Sequence, residues 1–99
     1  MKIVISPAIA KKLVAKHGGI RDAEIRQAFA NRVGQILVDD REEHASDPPT
    51  HWFCAKTDTG RMLKIVYVRR DDTIFLKTAY EPALPTVAFY RRMCLAGRS

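Results

Sequence analysis

The feature that most constrains this chain is the stretch from His51 to Pro82, HWFCAKTDTGRMLKIVYVRRDDTIFLKTAYEP. Its apolar and β-branched residues come in three short runs, separated by Thr57-Asp58-Thr59-Gly60 and by Asp71-Asp72. Such runs, broken by turn-forming residues and closed by a proline that cannot donate to a ladder, predict an antiparallel three-stranded meander. Two-residue turns flanked by Thr57 and Gly60 and by Arg70 and Thr73 would set Trp52 opposite Ile65, Cys54 opposite Leu63 and Lys64 opposite Ala79. In that register the core face carries Trp52, Cys54, Leu63, Ile65, Tyr67, Ile74, Leu76 and Tyr80. The other face carries His51, Phe53, Met62, Lys64, Val66, Val68, Phe75 and Lys77. A one-residue slip in either turn exchanges the two sets, because side chains alternate along a strand.

The rest of the chain supplies layers for this sheet. Lys2 to Ile5 is a short β-prone start, and Ser6-Pro7 reads as an N-cap followed by proline at the first helical position. That helix is expected to run to about His17, with Ile9, Leu13 and Val14 on its buried stripe and Gly18-Gly19 as its stop. A second helix is expected from Asp22 to about Arg32, burying Ile25, Ala28 and Phe29, with Gly34 as its end and a short strand over Gln35 to Asp39. Asp40 to Thr50, with Pro48-Pro49, reads as a loop. A third helix opens at Pro85 and runs to about Cys94, with Val87, Ala88, Tyr90, Met93 and Cys94 facing inward. The expectation is an α+β fold. Two N-terminal helices and a C-terminal helix pack on a mainly antiparallel sheet of about four strands, in a single domain over residues 1–99.

Charge points to a partner class. The chain carries a net charge of +6. Residues 1–50 hold eight basic and seven acidic side chains, whereas residues 51–99 hold nine and four. Basic charge gathered on the sheet and the segment after it suits an anionic partner, nucleic acid first. No apolar run approaches the ~20 residues of a membrane span, so no membrane association is expected. The first residues lack the apolar region of a signal peptide, and Cys54 and Cys94 read as structural thiols of a reducing cytosol, so the expected location is cytoplasmic. There is no Walker motif, nucleophile elbow, GxGxxG or His-Glu-x-x-His, and no spacing of metal ligands, so neither metal nor cofactor is expected.

With this order of elements, three phrases carry a resemblance: Lys16-His17-Gly18, Gly60-Arg61-Met62-Leu63, and Thr78-Ala79-Tyr80 leading to Tyr90. The chain resembles the RelE/ParE-like toxin superfamily, and BrnT-type toxins within it. It departs from the BrnT pattern in lacking an initial Trp-Asp pair, and in having Tyr80 where an arginine is common. It is also similar to a set of small bacterial proteins, some of which carry the name ADP-ribosyl-(dinitrogen reductase) hydrolase.

The toxin resemblance implies a metal-independent, mRNA-cleaving ribonuclease restrained by a cognate antitoxin. It leaves homo-oligomerisation open. A non-catalytic module of the same fold, binding protein or nucleic acid, is the alternative, and an ADP-ribosyl hydrolase, by family naming only, is a third. Cleavage through a ribose 2′-hydroxyl needs cations for the developing charge and a group that moves a proton. In the expected register Lys64 and Lys77 supply the cations and His51 the acid or base, making these the candidate catalytic residues. Arg61 at the hairpin mouth, with Phe53 and Phe75 as stacking platforms, would bind the nucleic acid. His17 reads as a charge at the end of the first helix, and His44 as a loop residue.

Overall fold

The computed structural model describes residues 2–16, 18–39 and 49–94. His17, His44 and most of the expected 40–50 loop lie outside the described residues. The elements in order are β1 (Lys2–Val4), α1 (Pro7–Ala15), α2 (Asp22–Ala30), β2 (Leu37–Asp39), β3 (Thr50–Lys56), β4 (Met62–Arg70), β5 (Thr73–Tyr80) and α3 (Leu84–Cys94). The α+β class, the three helices and the meander are as expected. The sheet differs: it is mixed and five-stranded, in the order β1-β5-β4-β3-β2. The added strand is β1, which runs parallel to β5 with Lys2 opposite Thr73 and Val4 opposite Phe75.

Local chemistry accounts for the helix ends. Ser6 accepts the backbone N–H of Ile9 through its hydroxyl, with Pro7 at the first helical position. Glu24 Oε1 accepts the backbone N–H of Arg21 at 3.1 Å and so closes the start of α2. Gly18 and Gly19 have φ of +88° and +46°, the left-handed conformation that turns the chain out of α1. Asn31, not Gly34, terminates α2, its N–H bonding to the Gln27 carbonyl. Gly34 has a different use. It lies under the Tyr90 ring, where a Cβ would sit 2.6 Å from the Tyr90 hydroxyl. Tyr90 in turn donates to the Gln35 carbonyl at 2.5 Å, tying α3 to the approach of β2.

The two hairpins of the meander behave differently. At the second, Arg70 faces Thr73 across a two-residue turn, as expected, with Asp71 at φ +55°. Aspartate tolerates that region, which suits a turn matched to strand twist. At the first hairpin the loop is one residue longer. Thr57 N–H bonds to the Arg61 carbonyl at 2.8 Å, and Gly60, at φ +88°, is a loop residue rather than a flanking one. Three-residue loops with a left-handed third position are a standard hairpin closure. That single residue slips β3 against β4: Trp52 faces Val66, Phe53 faces Ile65 and Cys54 faces Lys64. A second irregularity lies between Val66 and Tyr67, where β5 carries an extra residue. Tyr67 faces Leu76 and Val66 faces Thr78, so Lys77 has no opposite number.

The core follows this register. Phe53, Leu63, Ile65 and Ala79 are fully buried, with Tyr67, Ile74 and Leu76 beside them. Leu13, Ile20, Ile25 and Ala28 cover them from the helical side, and Phe29 packs edge-on to Phe53 at 5.0 Å. Val14, expected on the buried stripe, is exposed, as are Ala88 and Met93 of α3. Tyr90 and Cys94 hold α3 against β3 on the opposite side of the sheet.

Candidate nucleic-acid interface

Burial along the strands locates the open surface. β4 alternates buried with half-buried residues, so one of its faces is covered and the other only partly so. β3 instead has three consecutive buried residues, Phe53, Cys54 and Ala55, because α2 packs on one side of it and α3 on the other. Directly opposed residues share a face of a sheet. The open half-face is therefore built from the rows Cys54–Lys64–Tyr80, Trp52–Val66–Thr78 and Thr50–Val68–Phe75.

Lys64 is its centre. It lies opposite Tyr80 and one step diagonal from Trp52, and its Nζ sits 4.3 Å from the Trp52 ring centroid and 5.6 Å from that of Tyr80. The ring quadrupoles attract an ammonium at this range and fix a side chain that would otherwise sweep through solvent. Tyr80 is 40% and Phe75 38% exposed, leaving ring area for a ligand. Lys16, just past α1, reaches Thr78 Oγ1 at 3.5 Å, bringing a second ammonium to the same strand. Lys77 is exposed next to it, at the irregularity in β5.

Three expected site residues do not offer their groups to the open face. His51 faces Tyr67 and lies on the helix-covered side, with its ring stacked on Tyr67 at 5.5 Å and 17°. Its Nδ1 is buried without a hydrogen-bond partner among the described residues. The expected trio of His51, Lys64 and Lys77 is thus not assembled, because the one-residue slip at Gly60 moves His51 through the sheet. Phe53 moves with it and is fully buried between Phe29 and Tyr67, so it offers no stacking surface. Arg61 remains at the hairpin mouth but is committed internally. It donates to Gly18 and Gly19 carbonyls at 2.9 and 2.7 Å, and pairs with Glu24 at 3.1 Å and Glu81 at 2.5 Å. These contacts hold the α1–α2 turn, α2 and the end of β5 on one guanidinium. The Glu24 carboxyl is held below its usual range, most by the Arg21 backbone N–H, with Arg61 adding to it against the effect of burial.

Trp52 and Tyr80, read from the sequence as core, lie on the open face, Trp52 half-buried with one side packed against the core and Tyr80 exposed. The same slip carries Trp52 across, and the extra residue in β5 turns Tyr80 outward. Cys54 and Cys94 are both buried, and burial pushes the Cys54 thiol up to about 11, which suits a packing role over a reactive one. Among the described residues, no helix is long and apolar enough to cross a membrane, and no group of three His, Cys, Asp or Glu is placed to hold a metal ion. No protein-family model matches the chain, and no curated protein matches it as a relative.

Proposed function

We propose that this chain is an RNA-binding protein of the RelE/BrnT toxin type, which engages RNA on the open half of its sheet. The observation that carries the reading is Lys64 held between the Trp52 and Tyr80 rings, with Lys16 and Lys77 beside the same strand pair. Ammonium groups neutralise phosphate oxygens, and the exposed rings of Tyr80 and Phe75 accept unpaired bases. The resemblance through Gly60-Arg61-Met62-Leu63 and Thr78-Ala79-Tyr80 supports the toxin reading, and with it a protein antitoxin as the second partner.

Metal-independent cleavage of the bound RNA is a second reading, favoured by the place of Tyr80. With His51 across the sheet, the proton-moving group has to come from the open face. The Tyr80 phenol lies beside Lys64, which would stabilise charge developing at the phosphate. Titration of RNA at low and moderate salt, followed by RNA incubation with a chelator present, tests both readings. Binding is expected to weaken steeply with salt. Lys64→Ala and Lys77→Ala are each expected to reduce the salt slope by about 1 without unfolding the protein. Folded protein that binds RNA at neither salt concentration would remove RNA as the partner. RNA bound but left uncut would leave the non-catalytic module.

A further inference from the structure

The contacts between rings and cations continue from the strands onto α3, which packs over β3. Beyond Tyr80, Lys64 and Trp52, the row reaches Phe89 of α3, whose ring stacks on Trp52 at 6.3 Å and 21°. The Arg92 guanidinium follows, 5.9 Å from the Phe89 ring. Packing of α3 does not require this extension, since Tyr90 and Cys94 already anchor the helix and are buried. Phe89 is 40% exposed, and Arg92 is exposed.

We infer that the row Tyr80–Lys64–Trp52–Phe89–Arg92 is the path of a single-stranded polynucleotide, with Phe89 and Arg92 forming a second base-and-phosphate position on α3. The inference rests on the RNA-binding reading above and deepens it by excluding a duplex as the ligand and by adding α3 to the site. Rings at Tyr80 and Phe89 can stack only on bases that are not paired, whereas a duplex offers phosphates and groove edges to such a surface. Two ring-and-cation pairs, Tyr80 with Lys64 and Phe89 with Arg92, lie on either side of Trp52, which suits bases and phosphates spaced along one strand. A proline-rich peptide would use the rings but leave Lys64 and Arg92 without counter-charge.

Trp52 is the one tryptophan of the chain and lies in the middle of the row, so its fluorescence reports occupancy directly. Three probes are titrated at one salt concentration: a short oligoadenylate, an RNA duplex of the same length, and inorganic polyphosphate. Oligoadenylate is expected to quench Trp52 and to bind about tenfold or more tightly than the other two. Phe89→Ala is expected to lose about tenfold in oligoadenylate affinity, from one lost stacking contact, with polyphosphate binding unchanged and Phe89→Tyr restoring the loss. Arg92→Ala is expected to lower the salt slope by about 1. Thermal unfolding of each variant keeps a folding defect from passing as a binding defect. If oligoadenylate binds and Lys64→Ala weakens it, but both α3 variants match wild type, the α3 position is overturned and RNA binding stands. Equal affinity for duplex and single strand overturns the single-strand path. No binding of any of the three probes overturns the inference together with the reading beneath it.

Discussion

Arg61 illustrates how one side chain can look like a ligand-binding group and serve as a fastener. Its guanidinium spends its donors on two backbone carbonyls and two carboxylates. The two carboxylates are unequal. Glu24 is 19% exposed, whereas Glu81 is 61% exposed and shares its charge with water. Arg61→Ala leaves Glu24 and the Gly18 and Gly19 carbonyls without their partner, and is expected to cost about 1–3 kcal/mol of stability. Glu81→Ala is expected to cost less than about 1 kcal/mol, since an exposed ion pair contributes little. Urea unfolding of the two variants checks this order. An Arg61→Lys variant should behave more like Arg61→Ala than like wild type, because an ammonium cannot present the planar fork these four acceptors require.

At the scale of elements, the sheet is pinned by its two turns, and they differ in how plainly they can be read. Asp71-Asp72 between two alternating runs announces a two-residue turn, and that hairpin closes where expected. Thr57-Asp58-Thr59-Gly60 fits loops of two or three residues equally well, and nothing local decides whether Gly60 flanks the loop or belongs to it. The helices, the meander and the Lys64–Phe75 side of the site were legible, because periodicity and turn residues are local signals. The places of His51, Phe53, Trp52 and Tyr80 were not, because one residue of register and one extra residue in β5 exchange faces without changing composition. The β1 residues read as β-prone, but their place in the sheet was not legible, because three residues gain a ladder only from a partner about seventy positions away. Gly60 is therefore the residue that sets which face His51 joins. Its surroundings are open, with nothing within 4 Å of an added Cβ, so Gly60→Ala meets only the conformational cost of φ +88°, about 1–2 kcal/mol. Thermal unfolding measures that loss. A stability equal to wild type would mean that the loop closes in another way.

For the whole molecule, excess positive charge makes acid the vulnerable direction. Protonating all eleven carboxylates would raise the net charge from +6 toward +17 before any histidine is counted. Glu24 adds a specific contribution with a definite sign. Its folded pKa is lowered, so its stabilisation is fully present above the unfolded glutamate value of about 4.3 and is lost as pH falls through the lower folded value. Denaturant unfolding followed from neutral pH to below 4 should show stability falling across that window, with a shallower fall in Glu24→Gln. The parallel pairing of β1 with β5 has a consequence for how the chain is made. Lys2 must wait for Thr73. At ~5–20 residues per second, about 4–14 s separate the synthesis of β1 from that of its ladder partner. A newborn chain can close the β3–β4 hairpin first, and it completes the sheet only when its earliest residues return to one of its latest strands.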